Sequence, residues 1–156
     1  MIKRELNTLT LVNFDKENKA HLEFLKKLVH DESIKKWFTG ISSGLINNPN
    51  NEFFGHSFFV EDNNELIGYI NIGNINNENS VYLRAAVDKD KRGNNYGKTI
   101  LSETTDYIFD NFNEVENIML KIDKENKASL MTADSCGYLW LRDDYYYKKN
   151  PNIKEK

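Results

Sequence analysis

The sequence predicts a single mixed α/β domain, in which one mixed sheet is flanked by helices. Segments with apolar residues at helical spacing are interspersed with short alternating or β-branched segments, which indicates helices and strands in one chain. A loop of mostly small and polar residues, 92–98, comes directly after an apolar strand and directly before an amphipathic helix. A length of 156 residues without a repeat or a linker suits one domain with its own core. We therefore assign residues 1–156 to one domain.

The first half of the chain is predicted to hold one strand, two short helices and three further strands. Alternating apolar residues within 9–14 indicate the first strand. Apolar residues at helical spacing predict helices within 22–29 and 34–41, with capping residues at 31–33 between them. The other predicted segments are a loop at 44–51, strands at 55–60, 66–72 and 81–87, and turns at 62–64 and 74–80.

The second half is predicted to continue as helix, strand, helix and a final pair of strands. An apolar stripe within 98–112 is typical of a helix buried on one side, and alternation at 118–122 indicates a strand. A second helix at 126–136 ends at Gly137, because glycine readily adopts the left-handed conformation of a helix end. The last strands are predicted at 138–141 and 145–149.

Composition excludes several classes of function. A net charge of −3 argues against a nucleic-acid surface, which needs a basic face. The charged N-terminal residues argue against a secretory signal, and no apolar run is long enough to span a membrane. The single cysteine, Cys136, cannot form an intramolecular disulfide, so we expect a cytoplasmic protein with that residue in the core. Three scattered histidines and one cysteine predict no metal site.

The loop from Arg92 to Lys98 is the strongest candidate for a binding site. The first turn of a helix has free backbone N–H groups and the positive end of the helix dipole. Such strand–loop–helix junctions bind phosphate groups. Gly93 and Gly97 remove side chains where the backbone curls or approaches a ligand, while Arg92 and Lys98 add positive charge. The alternative is an ordinary turn with a solvated basic rim.

The same loop is close to the nucleotide-binding P-loop without matching it. The segment Gly93-Asn94-Asn95-Tyr96-Gly97-Lys98-Thr99 has three residues between its glycines, where the P-loop has four. One residue changes which N–H groups point inward. The loop also lies in the middle of the chain rather than after an early strand, which argues against a nucleotide hydrolase.

Three motifs in order resemble those of the GCN5-related N-acetyltransferase (GNAT) superfamily. Residues 87–98, with Arg92-Gly93-Asn94-Asn95-Tyr96-Gly97, resemble its acetyl-CoA motif of Arg/Gln-x-x-Gly-x-Gly/Ala after an apolar strand. Residues 122–129 resemble the strand followed by Asn-x-x-Ser on a helix, and Gly137-Tyr138 resembles the Gly-aromatic pair that ends that helix. The resemblance covers nearly the whole chain and implies the GNAT fold with acetyl-CoA as co-substrate.

In this family the loop amides hold the CoA pyrophosphate, and the pantetheine arm pairs with the end of the preceding strand. A strand amide there also polarises the thioester carbonyl. The resemblance makes Asn126 a pantetheine contact and makes Ser129 the catalytic residue that protonates the leaving thiolate. The implied CoA site consists of Ala85, Val87, Arg92, Gly93, Asn94, Asn95, Tyr96, Gly97, Lys98, Asn126 and Ser129. The implied reaction is direct acetyl transfer to an amine in a ternary complex.

The sequence departs from the family pattern at three points. Asn95 replaces the first motif glycine, although asparagine tolerates the left-handed conformation next best. The strand at 81–87 carries no carboxylate base, and Ala133 stands where many members have a tyrosine acid. The base is left open among Glu52, His56, Tyr82 and a chain of waters. These departures motivate a second hypothesis, a catalytically silent GNAT-fold module that binds CoA for regulation or assembly.

The acceptor side is predicted from the family to lie within 22–54. Aromatic residues could line the pocket, and acidic residues could attract a cation. The match to the branch that acetylates ribosomal-protein N-termini is loose, so a small amine, an amino acid derivative and a protein N-terminus all stay open. A homodimer is possible, as in other members. The residues in question are Trp37, Phe38, Phe53 and Phe54 for the walls and Asp31, Glu32 and Glu52 for the charge.

Overall fold

The computed structural model describes residues 3–37 and 52–153. Within them, eight strands form one sheet, which is antiparallel except at one neighbouring pair. The strands are β1 (Lys3–Glu5), β2 (Thr10–Val12), β3 (His56–Asp62), β4 (Glu65–Ile72), β5 (Ser80–Val87), β6 (Asn117–Lys121), β7 (Leu139–Arg142) and β8 (Tyr145–Lys149). Their order in the sheet is β1-β2-β3-β4-β5-β6-β8-β7.

The helices are α1 (Lys19–Val29), α2 (Glu32–Trp37), α3 (Tyr96–Asn111) and α4 (Lys127–Ser135), and a short 3₁₀ turn covers Lys89–Lys91. Asn18 begins α1 by accepting hydrogen bonds from the amides of Ala20 and His21, as a good N-cap residue does. None of the helices in the described ranges is long and apolar enough to cross a membrane.

The helices cover the two faces of the sheet with two apolar clusters. On the back face, α3 and α4 pack against the sheet through residues such as Ile100, Ile108 and Ala133. On the front face, α1 and α2 pack through Phe24 and other residues onto β2, β3 and β4. The front-face cluster is Val12, Phe24, Leu28, Ile34, Phe59 and Tyr69. Both faces of the sheet centre are therefore buried, as the mixed α/β prediction requires.

The sheet divides in the middle, between β5 and β6. These parallel strands pair only over Ser80–Tyr82 and Asn117–Met119. From Leu83 to Val87, β5 pairs only with β4 on its other side. A cleft therefore opens between the carboxyl ends of β5 and β6, and α3 follows directly from the end of β5.

The fold confirms the predicted mixed α/β class, with a few local differences. The strand β1 was not predicted, because Lys3-Arg4-Glu5 is fully charged and gains its structure only by pairing with β2. The helix α3 begins at Tyr96, two residues before the predicted start. The end of the second predicted helix and the predicted loop at 44–51 lie outside the described residues.

Candidate functional site

The candidate site begins where β5 ends, at Asp88. The Asp88 side chain is 4% exposed and accepts a hydrogen bond from Lys27 Nζ of α1 at 2.9 Å. Its other oxygen accepts a hydrogen bond from the Asp90 amide, which closes the 3₁₀ turn. Hydrogen bonds to Asp90 and Asp88 raise the pKa of Lys27. The base of the loop is thus fixed to α1.

The loop itself presents a row of unpaired amides. Within the described chain, no backbone or side-chain acceptor binds the N–H groups of residues 92–98. Asn95 is left-handed, with φ 60°, and its carbonyl accepts from the amide and hydroxyl of Thr99. Gly93 is left-handed at φ 86°. Asparagine at 95 therefore permits the turn, as its tolerance of this conformation predicted, and consecutive amides stay available to an anion.

Arg92 contributes to this loop in a way that the motif did not indicate. Its guanidinium donates to Asp31 Oδ2 at 2.9 Å, to Ser33 Oγ at 2.9 Å and to the Val87 carbonyl at 3.1 Å. The side chain therefore ties the loop to the start of α2. Burial raises the pKa of Asp31, but hydrogen bonds from Ser33 and Arg92 outweigh it and leave that pKa below its usual value.

The second half of β5 forms one wall of the cleft. The Tyr82 carbonyl accepts a hydrogen bond from the Gly73 amide, and the Asp88 amide donates one to the Ile67 carbonyl. The backbone groups of the even-numbered residues of β5 therefore point toward β4. Because backbone groups alternate along an antiparallel strand, those of Ala85 and Val87 point into the cleft. These two residues are the ones that the family resemblance assigned to pantetheine.

The helix α4 approaches the start of α3 through Thr132, in the middle of α4. Asn126 caps α4 by accepting a hydrogen bond from the Ser129 amide at 3.3 Å. Ser129 is half-buried, and its hydroxyl has no hydrogen-bond partner within the described chain. A Cβ atom on Gly97 would lie 3.9 Å from both Thr132 Oγ1 and Val87 Cγ2. The fold thus brings together β5, the loop and α4; Thr132 is a neighbour that no sequence motif indicated.

The candidate bases fall in two places. His56 Nε2 lies 3.2 Å from Glu52 Oε2 at the start of β3, two strands away from the cleft. Tyr82 instead belongs to the last β5–β6 pair, opposite Met119, and its side chain is 38% exposed. Of the residues proposed from sequence, Tyr82 is therefore the one at the inner end of the cleft.

Two of the four aromatic residues proposed for the acceptor pocket pack in the core. Phe53 is 5% exposed and stacks on Phe112 with ring centroids 5.4 Å apart. Phe54 contacts the same ring at 4.7 Å, so both phenylalanines belong to the core. The Trp37 ring lies under Lys36 Nζ at 4.7 Å, and Phe38 lies outside the described residues.

The acidic residues proposed to attract a cation already have basic partners. Asp31 binds Arg92, and Glu52 lies beside His56. Glu32 lies 3.5 Å from Lys35.

Two other residues of the site region have shifted pKa values. Tyr96, which begins α3, donates a hydrogen bond to Asp62 at 2.6 Å, and that bond raises the pKa of Tyr96. Cys136 is buried as predicted, and burial raises the pKa of its thiol.

Known proteins support the same architecture. An acetyltransferase (GNAT family) from Bacillus anthracis superposes with a TM-score of 0.74 at 15% identity, over 96% of this chain and 99% of that one. The spermidine N-acetyltransferase from Vibrio cholerae, solved with CoA and spermine, superposes with a TM-score of 0.67 at 18% identity, over 92% and 96%. No curated protein sequence matches this chain. A sequence model of the acetyltransferase (GNAT) family matches residues 12–138, and the chain therefore belongs to the GNAT family of acetyltransferases.

Proposed function

We propose that this protein transfers the acetyl group of acetyl-CoA to a primary amine, on a small molecule or a protein N-terminus, by direct transfer in a ternary complex. The observation that carries this proposal is the junction of two unsatisfied backbone surfaces. One is the row of free amides at 92–98, and the other is the cleft edge of β5 at Ala85 and Val87. Acetyl-CoA matches both surfaces, because its phosphates suit the free amides and its amide-containing arm suits the strand edge.

The residues present fit acetyl-CoA. The amides of Arg92, Gly93, Asn94, Asn95, Tyr96, Gly97 and Lys98 would hold the pyrophosphate at the start of α3, where the helix dipole favours negative charge. Ala85 and Val87 would pair with the amide-containing pantetheine arm. Asn126 and Ser129, at the start of α4, would border the same arm near its sulfur end. When bound, acetyl-CoA supplies the activated thioester.

The chemistry requires three proton movements: two protons leave the acceptor nitrogen, and one reaches the thiolate sulfur. The acceptor ammonium, with a pKa of roughly 10.4 when it resembles a lysine side chain, must lose a proton before its nitrogen can attack. Water beside Tyr82 accepts that proton in this proposal. The C–N bond then forms, the nitrogen loses its second proton to water, and the C–S bond breaks. Ser129 donates its hydroxyl proton to the departing thiolate sulfur and regains a proton from water. A cleft-facing β5 amide stabilises the oxyanion that develops on the carbonyl oxygen.

Calorimetric titration with acetyl-CoA, with ATP as comparator, tests the cofactor first. Acetyl-CoA should bind with micromolar affinity and ATP should give no heat. A panel of primary amines then tests turnover by release of free CoA thiol. Absence of acetyl-CoA binding would contradict the proposal. Binding without turnover across the whole panel would instead identify a silent CoA-binding module.

A further inference from the structure

In the described part of the chain, the half of the front face beyond the α1–α2 cluster carries four cations and no carboxylate on its strands. Residues paired across β5, β6, β8 and β7 share a face, so the register identifies them directly. These front-face residues are Tyr82, Arg84, Ala86, Asn117, Met119, Lys121, Leu139, Arg142, Tyr145, Tyr147 and Lys149. The whole chain has 24 acidic against 21 basic residues, so its composition does not explain this surface.

Two of the cations converge on one aromatic ring. Lys121 Nζ lies 5.9 Å and Arg142 Cζ 5.7 Å from the centroid of the Tyr145 ring. Tyr82 meets the same ring edge-on, with centroids 6.1 Å apart. Both cationic side chains are exposed, and neither has a carboxylate partner within the described chain. Cation–π attraction positions the two charges and leaves their N–H groups free to donate.

This cationic cluster of Tyr82, Lys121, Arg142 and Tyr145 lies at the mouth of the cleft. Tyr82 and Met119 form the last β5–β6 pair. Lys121 follows Met119 by two residues, which is about 7 Å along a strand, in the direction in which the cleft opens. The helices α3 and α4 lie on the back face. An acceptor that reaches the cleft from the front would therefore pass this cluster.

The charge of the surroundings opposes a polycation there. Asp31 before α2, Glu32 on α2 and Glu52 before β3 are paired with Arg92, Lys35 and His56. A polyamine would meet the like charges of Lys121 and Arg142 on the strands, where the carboxylates adjacent in sequence, Asp143 and Asp144, lie in the β7–β8 turn. A carboxylate or phosphate would instead receive charge-assisted hydrogen bonds from a lysine and from a guanidinium fork.

We infer that the amine acceptor carries an anionic group, a carboxylate or a phosphate, that binds between Lys121 and Arg142 beside the Tyr145 ring. This inference rests on the proposed acetyl transfer. It makes Lys121 and Arg142 determinants of acceptor specificity, while the proposed CoA-binding loop after β5 is unaffected.

Matched amine pairs test this inference in steady-state kinetics. Tyramine is compared with tyrosine, and ethanolamine with phosphoethanolamine, alongside spermidine. In at least one pair, the anionic member should have a kcat/KM about tenfold or more above the neutral one, and the pair that responds tells carboxylate from phosphate. Lys121→Gln and Arg142→Gln should each raise the KM for that anionic acceptor about 3- to 10-fold, with kcat and the KM for acetyl-CoA unchanged.

Lys16→Gln is the matched control, because Lys16 is exposed and follows β2, four strands from β6 in the sheet. It should change none of these values. A preference for spermidine or for the neutral amines would overturn the inference, as would an anion preference that survives both substitutions. In those cases acetyl-CoA binding and turnover persist, so the proposed function stands. If no amine is turned over, binding of the anionic amines to CoA-saturated protein is measured by calorimetry instead. Equal affinity of the wild type and Lys121→Gln for these amines would overturn the inference.

Discussion

Lys27 of α1 donates a hydrogen bond to the carboxylate of Asp88, which is 4% exposed at the end of β5. Lys27→Met would leave that carboxylate buried without a cationic partner, with only the Asp90 amide still donating to it. We expect the free energy of unfolding to fall by about 1–3 kcal/mol and acetyl-CoA to bind more weakly, because the phosphate loop starts at Asp88. Urea denaturation and calorimetric titration measure the two effects. Lys26→Met, an exposed neighbour on α1, should change neither, and equal effects of both substitutions would contradict the role of this ion pair.

Gly97→Val should abolish acetyl-CoA binding without unfolding the protein. A Cβ atom at this position has ordinary contacts, at 3.9 Å, with Thr132 and Val87, so the helix tolerates it. The two methyl groups of valine, however, would extend into the space between the loop and α4 where the pyrophosphate is proposed to lie. Calorimetry measures acetyl-CoA binding, and circular dichroism shows whether the fold is kept. Asp106→Val, which puts the same side chain on an exposed position of α3, should bind normally.

Asn95→Gly should leave stability unchanged within roughly 0.5 kcal/mol and should bind acetyl-CoA at least as tightly. Asn95 has φ 60° and makes no side-chain capping bond, so its left-handed backbone is what the loop needs, and glycine adopts it without strain. Asn95→Val, by contrast, should weaken both stability and binding, because a β-branched side chain disfavours this conformation. Thermal denaturation and titration measure the changes. A large loss of binding in Asn95→Gly would mean that the amide side chain contacts the ligand.

Ser129→Ala should lower kcat by about 100-fold or more, the lower range for a lost proton donor, with little change in acetyl-CoA affinity. The Ser129 hydroxyl has no partner within the described chain, so its removal breaks no existing bond. Ser135→Ala in the same helix is the control, since Ser135 is exposed and donates to the Thr132 carbonyl. Unchanged turnover in Ser129→Ala would move the acid role to another group.

Stability should fall as the pH drops below about 6.5, because of His21. Burial lowers the pKa of His21, whose ring is 2% exposed and accepts a hydrogen bond from the Asp15 amide. The unfolded chain therefore binds a proton at a higher pH than the folded protein does. The stabilisation that comes from neutral His21 is complete above the His21 pKa of the unfolded chain. It is lost as the pH falls toward the lower pKa of the folded protein, with a slope of at most about 1.4 kcal/mol per pH unit.

Urea denaturation at several pH values measures this slope. His21→Gln should flatten it between pH 6.5 and the folded pKa, whatever the variant's absolute stability, while the exposed His30→Gln should preserve it. A slope that persists in His21→Gln would assign the effect to other groups.

Local sequence signals predicted most of this fold because they depend on neighbouring residues. The apolar period of α3 and the left-handed glycine at 137, with φ 83°, are encoded locally. The strand β1 was missed because its charged residues become a strand only through pairing with β2. The sequence leaves Phe53 open between a pocket wall and the core, because an aromatic residue in sequence does not reveal that Phe58, Tyr107 and Phe112 surround it.

The candidate site also has parts that the local sequence predicts and parts that it does not. The loop at 92–98 and the start of α4 could be located from motifs, because their backbone geometry constrains the residue types. The bonds of Arg92 to Asp31 and Ser33 join residues about sixty positions apart, and the bond of Lys27 to Asp88 spans a similar distance. No local pattern reports such pairs, and whether the assigned residues bind CoA stays a prediction for the experiments above.

The short β5–β6 pairing has a consequence for hydrogen exchange. Leu83, Ala85 and Val87 belong to the fifth of the eight described strands, yet none of these strands pairs with their backbone groups on the cleft side. Their amide hydrogens should exchange at rates typical of a sheet edge, whereas those of Arg84 and Ala86 are protected by β4. An exposed edge normally invites pairing with another chain. Here the edge lies inside a cleft, and an extended chain bound along it would slow the exchange of every second amide in this stretch.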